Sequence, residues 1–183
     1  SGSKTVKCVT GYNLCGLMAA SEGTLGIISK AVLKLVPPPK ASRAMMAVFG
    51  DIRAAANAVA GIIAAHILPC TLEIMDNATI NLVEDNENIG LPRSAAAILL
   101  IEVDGHPAQV ADDAETVEKV LRENGALETV AAKDAAEKSK LWEARRKALP
   151  ALARLRPTIV LEDATVPRSK IPAMIDAIGD IAK

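Results

Sequence analysis

Aromatic side chains are almost missing: the 183 residues include one Trp, one Tyr and one Phe. Three rings cannot build a platform for stacking bases, and they leave any core to Ala, Val, Leu, Ile and Met. Net charge is missing too. Twenty-one basic against 22 acidic residues give a formal charge of -1, with no long like-charge run, so nothing marks a nucleic-acid partner. Cys8, Cys15 and Cys70 are odd in number and form no Cys-x-x-Cys pair, which removes a disulfide framework and a zinc site. They read as three reduced thiols, small buried hydrophobes of a cytoplasmic protein. His66 and His106 lack a second ligand at helical spacing, so each reads as structural or surface, and no metal is expected. No apolar run is long enough to span a bilayer. The longest Ala-rich stretch, 54–65, is interrupted by Asn57 and Gly61 and reads as a packed helix.

What is present is a chain that is 50% hydrophobic, enough for one domain or a domain plus a fragment. Ser1-Gly2-Ser3 reads as a cloning remnant. Residues 5–9 form a strand-like run, 14–20 a turn or two of helix, and 27–36 alternate as a strand buried on at least one face. Pro37-Pro38-Pro39 then removes three donors and fixes φ, which makes it the domain boundary: 1–38 and 39–183. Beyond it, strands are expected at 43–49, 70–75, 95–103, 127–131 and 158–162. Helices are expected at 52–65, capped by Asp51, at 77–83, from Pro107 to Asn124-Gly125, at 135–149, capped by Asp134, and at 169–182. The order predicts an α+β fold: a mixed or antiparallel sheet with helices on one face, of ferredoxin-like type.

Three segments could carry chemistry. In Ser21-Glu22-Gly23-Thr24-Leu25-Gly26-Ile27, two glycines three apart let backbone approach a ligand, and the hydroxyls and amides suit a diphosphate or a flavin edge; a tight turn explains the same residues. In Leu141-Trp142-Glu143-Ala144-Arg145-Arg146-Lys147, Trp142 and Arg145 lie three apart on one helix face. If Trp142 packs inward, Arg145 follows it, and a guanidinium there can grip a carboxylate with two prongs; the competing reading is a solvated helix face. In Glu162-Asp163-Ala164-Thr165-Val166-Pro167, Asp163 either orients a substrate group or caps the next turn.

The Ser-Glu-Gly-Thr-Leu-Gly-Ile loop, followed by a strand-like run and a proline stop, resembles the end of the flavin-binding domain in FAD-linked oxidases of the vanillyl-alcohol oxidase superfamily, of the glycolate oxidase and D-lactate dehydrogenase type. The resemblance implies that 1–38 is the remnant of a FAD-binding domain and 39–183 an incomplete C-terminal substrate domain. It implies FAD as cofactor, with Ser21, Glu22, Gly23, Thr24, Gly26 and Ile27 beside the flavin. The family's Trp-x-x-Arg implies Arg145 as the residue that binds the carboxylate of a small 2-hydroxy acid, with Arg146 and Lys147 left as surface charge. The family's His-x-Gly-Asp-Gly-Asn-x-His stretch, which holds the general base, does not occur in this sequence. The expectation is therefore a fragment of an oxidoreductase with no catalytic residue of its own, binding FAD weakly or not at all and inactive alone. The rival expectation is a stand-alone carboxylate-binding or dimerisation module, two copies pairing through exposed sheet edges.

Overall fold

The computed structural model describes residues 5, 7–156 and 158–182. Ser1-Gly2-Ser3, and Val6 of the expected first strand, lie outside them. The chain divides into two compact units, Ser1–Pro38 and Pro39–Lys183.

In the first unit the regular element is a short helix, α1 (Leu14–Met18), opened by Asn13, whose side chain accepts from the Gly16 amide at 2.9 Å. Strands expected at 5–9 and 27–36 are not formed among the described residues. Alternation supplies a strand with two faces but not with a neighbour. A strand exists only as one member of a hydrogen-bonded pair, and the second segment leaves Ile27, Ile28, Val32, Leu33, Leu35 and Val36 exposed.

The second unit is built on four strands, β1 (Ala41–Phe49), β2 (Thr71–Asp76), β3 (Ala97–Gly105) and β4 (Ala126–Ala131), in the order β2-β3-β1-β4. All three pairings are antiparallel, with Met45 opposite both Ile101 and Ala131, and Leu72 opposite Ile101 on the other side of β3. This is the ferredoxin-like order expected from the sequence. Helices α2 (Ile52–Ala64) and α4 (Pro107–Glu123) cover one face, as expected. Asp51 opens α2 by accepting from the Arg53 amide at 3.0 Å; Pro107 occupies the first turn of α4, and Gly125 at φ +84° follows its end. The four residues spaced for one face of α4, Val110, Ala114, Val117 and Leu121, are all buried against Met45, Ala47, Phe49, Leu99 and Ile101. Gly61 lets α2 and α4 approach closely: a Cβ there would lie 2.9 Å from Val120 Cγ1.

The second face is covered as well, which extends the single helix layer expected. Helix α3 (Asn77–Glu87) enters between β2 and β3 and packs with α5 (Ala135–Leu155) over Val48, Ile98 and Leu100. Glu84 is buried at the end of α3 and accepts from the Ile89 and Leu91 amides at 3.0 and 2.7 Å, so it closes the loop that returns the chain to β3. Helix α5 does not stop at Leu149 but runs through Pro150. A proline deletes one helical hydrogen bond, and here packing outweighs that cost: Ala144 and Ala151 are buried on either side of it, and Arg154 reaches Asn86 of α3 at 3.1 Å. Residues 158–162 form no strand; Val160 and Leu161 are exposed and unpaired among the described residues. A single 3₁₀ turn, Arg168–Lys170, leads into α6 (Ile171–Ile181), whose Asp176 meets Arg53 of α2 at 2.6 Å.

Candidate functional site

The helix that carries Trp142 and Arg145 is placed by its own first turn. Asp134 accepts from the Ala136 and Glu137 amides at 2.9 and 2.8 Å, and Glu137 reaches back to accept from the Lys133 amide at 2.8 Å. From that start Leu141, Ala144, Ala148 and Ala151 recur on the face turned to the sheet and α3.

One turn apart on that helix, Lys138 and Trp142 converge on Glu102 of β3. Lys138 Nζ donates to Glu102 Oε1 at 2.5 Å and to Ser42 Oγ at 2.8 Å, and Trp142 Nε1 donates to Glu102 Oε2 at 2.9 Å. Only 12% of the Glu102 side chain is exposed. Burial pushes its carboxyl up, but the bonds from Lys138 and Trp142 outweigh burial and hold it below the ordinary carboxylate value. Both oxygens are thus satisfied, and α5 is keyed to the sheet by a carboxylate.

Arg145 lies one turn further on, above β2. Its Nε donates to Glu73 Oε1 at 3.2 Å, and its Nη1 and Nη2 find no acceptor among the described residues. The expectation that Arg145 follows Trp142 inward is corrected. Trp142 turns toward the sheet centre, whereas Arg145 stays at the rim, with 55% of its side chain exposed, because β2 is an edge strand of the sheet. Arg146 turns back to the Ser139 carbonyl at 3.1 Å, a surface contact as expected. Lys147 is more than surface charge. It meets Glu87 at 2.9 Å, a carboxylate also approached by Arg154 at 3.6 Å, and so ties α5 to α3.

In the first unit, Ser21 to Thr24 forms a closed turn. The Thr24 amide and hydroxyl both donate to the Ser21 carbonyl, at 2.9 and 2.6 Å, and Glu22 and Gly23 both have positive φ, +49° and +80°. Two consecutive positive values are what a type I′ turn requires, and glycine takes the second without strain. Ser21, Glu22, Gly23, Gly26 and Ile27 line a shallow hollow of about 370 Å³ beside Met18; Thr24 does not line it. The Thr24 hydroxyl is already committed inside the turn. The hollow is open and largely apolar in its walls, which suits the edge of a planar ring system; no cation lines it for a diphosphate.

The remaining candidates stay apart. Asp163 is exposed and caps nothing: the following 3₁₀ turn begins at Pro167 without a side-chain cap. His106 is the N-cap of α4, with Nδ1 accepting from the Ala108 amide at 3.4 Å, and His66 closes α2 at φ +62°, so both are structural. The three thiols are exposed in this chain rather than buried as expected. Cys8 and Cys15 lie in a unit with no buried residue among those described, and Cys70 immediately precedes the edge strand β2, with Sγ 3.3 Å from the Glu102 carbonyl.

Glu102, Lys138 and Glu73 were not singled out by sequence reasoning. Glu102 did leave a signal: it is the only charged residue within Ala-Ile-Leu-Leu-Ile-Glu-Val, and a lone carboxylate in an apolar strand needs partners. Glu73 left none, because the contact to Arg145 spans 72 residues.

Comparison with known proteins adds independent findings. Residues 38–183 match the family described as FAD linked oxidases, C-terminal domain. The chain is 50% identical over 182 residues to the glycolate oxidase subunit GlcD of Bacillus subtilis (strain 168), covering 100% of this chain and 39% of that protein. It is 38% identical over 173 residues to the protein of the same name from Escherichia coli (strain K12), covering 94% of this chain and 35% of that one. It is 31% identical over 176 residues to a probable mitochondrial D-lactate dehydrogenase of Danio rerio, covering 95% and 35%. Among solved structures, an alkyldihydroxyacetonephosphate synthase shares the fold at a TM-score of 0.72 and 20% identity, over 96% of this chain and 38% of that one. The chain therefore spans about two fifths or less of the length of these curated relatives.

Proposed function

The chain belongs to the FAD linked oxidases through their C-terminal domain, and from that premise we propose that it is part of an enzyme oxidising a small 2-hydroxy acid, such as glycolate or D-lactate, to the 2-oxo acid. Bound FAD supplies the acceptor for the hydride that leaves the substrate carbon, and the hydroxyl proton goes to a base not assigned to this chain. The division of labour follows the two units: 1–38 belongs to the flavin domain and 39–183 to the substrate domain. Ser21, Glu22, Gly23, Gly26 and Ile27 contact the flavin edge through the hollow they line, and Thr24 serves by closing the turn that shapes it. Three thiols with no disulfide suit the cytoplasm.

The observation that carries the reading is Arg145. It presents two Nη groups that meet no acceptor among the described residues, from a helix whose position is fixed by the Glu102, Lys138 and Trp142 contacts. A guanidinium edge carried on a fixed helix is the group that grips one carboxylate with two parallel bonds and so orients the hydroxyl-bearing carbon. A stand-alone carboxylate-binding module would use the same residue, and the self-contained core of the second unit favours it as the alternative. The test is to assay the full-length oxidase with a dye acceptor against a series of 2-hydroxy acids, wild type beside Arg145→Ala. Loss of charge-assisted bonds worth about 1.5–3 kcal/mol raises the apparent KM roughly tenfold or more. An unchanged KM removes Arg145 from the site. Absence of any 2-hydroxy acid turnover, with carboxylate binding retained, selects the module.

A further inference from the structure

Arg145 reaches a ligand already half occupied. Its Nε is held by Glu73, on the edge strand β2, at 3.2 Å, whereas its two Nη groups are unpaired among the described residues. Both side chains of this pair are substantially exposed, 55% for Arg145 and 36% for Glu73, so the pair is weak as a stabilising contact. It nonetheless settles two properties of the rim. A guanidinium is a planar fork, and a carboxylate on Nε leaves the Nη edge as the one available for a two-pronged grip. Glu73 also cancels the local positive charge. Of the carboxylates that bond to α5 from the sheet and α3, Glu102 is matched by Lys138 and Glu87 by Lys147 and Arg154, and Glu73 is the one that meets Arg145, so its charge lies beside an anion bound there.

We infer that Glu73 is a specificity-determining residue, which orients the Nη edge of Arg145 and selects 2-hydroxy acids with one carboxylate over those with two. This rests on the reading of Arg145 as the carboxylate anchor. One carboxylate is taken by the Nη edge on hydrogen-bond geometry. A second carboxylate on the same small molecule cannot leave the neighbourhood of Glu73, and at a separation of several ångströms near a surface the repulsion amounts to roughly threefold to tenfold in affinity.

Trp142 is the sole tryptophan of the chain and lies one turn from Arg145, so its indole N–H is a unique nuclear magnetic resonance probe on that helix. The 183-residue chain is titrated with D-lactate and with D-malate, as wild type, Glu73→Gln, Glu73→Asp and Arg145→Ala. The expected result is weaker D-malate than D-lactate binding in wild type, and a Glu73→Gln chain in which D-malate tightens by roughly threefold to tenfold more than D-lactate. Glu73→Asp keeps the wild-type preference. A preference unchanged in Glu73→Gln, with binding still lost in Arg145→Ala, overturns the role of Glu73 and leaves Arg145 as the anchor. Equal titration of wild type and Arg145→Ala overturns both.

Discussion

Toward α2 and α4 the sheet presents Met45, Ala47, Phe49, Leu99, Ile101 and Val103, and the helices answer with Ala55, Ala58, Ile62, Val110, Val117 and Leu121. Toward α3 and α5 it presents Val48, Ile98 and Leu100, but also Ser42, Glu73 and Glu102, and α5 answers with two buried alanines and with Lys138, Trp142 and Arg145. Shape and burial hold the first face; directed bonds to carboxylates hold much of the second. Apolar packing is non-directional and fixes a helix only within the tolerance of its knobs and holes. A carboxylate gripped from two sides fixes rotation and translation together. The helix that carries Arg145, the proposed carboxylate anchor, is the one attached by directional contacts, which is what a group that must be aimed requires.

The comparison breaks hardest on the apolar side. Phe49 is fully buried and is the only phenylalanine of the chain. Phe49→Ala is expected to cost about 3–5 kcal/mol, because a void is left between β1 and helices that cannot collapse into it. Urea denaturation followed by circular dichroism measures it. A cost below about 1 kcal/mol would mean that this face is not the main source of stability.

That face was also the legible one. Val110, Ala114, Val117 and Leu121 announce α4 by their spacing, and Asp51 and Pro107 mark the two helix starts before any contact is known. The polar face was legible only in part. Trp142 and Arg145 could be placed on one helix by counting, but where each pointed depended on carboxylates 40 and 72 residues away. Pro150 misled for a related reason: a local rule ended α5, whereas contacts to α3 carry the helix on to Leu155. The alternation over 27–36 failed because pairing is never local information, and the expectation that Ser21 to Ile27 lie beside a flavin rested on resemblance rather than on geometry.

On the polar side the expected effect is smaller and depends on pH. Glu102→Gln leaves Lys138 without its charge partner and weakens the bond to Trp142, a loss of about 1–3 kcal/mol at neutral pH, toward the lower end because Lys138 is one-third exposed. The folded carboxyl lies below its ordinary value of 4.5. The unfolded chain therefore takes up the proton first as pH falls. The contribution is complete above the ordinary value and disappears as pH drops through the folded one. Denaturation of wild type and Glu102→Gln from pH 7 to pH 3 should show two stabilities that converge in acid. Parallel curves would mean that the carboxylate charge contributes nothing, and that packing positions α5 as it does α2 and α4.

The smallest effect lies where the polar face runs out. Cys70 precedes β2, and its thiol lies against the Glu102 carbonyl, beyond the reach of Lys138. Burial pushes the thiol up, and the nearby Asp104 and Glu102 carboxylates push in the same direction, since each disfavours a thiolate beside it. The thiolate is the reacting species, so exposure alone does not make this cysteine reactive. Alkylation with iodoacetamide at pH 8, read by peptide mass, should be several-fold slower at Cys70 than in an unstructured peptide of the same local sequence. Asp104→Asn should recover part of that difference, because it removes one of the two charges and leaves burial untouched. Recovery by Asp104→Asn locates the edge of the negative field that Lys138 neutralises further in. No recovery assigns the slowing to burial and the Glu102 carboxylate, and draws the boundary of the polar face at Glu102.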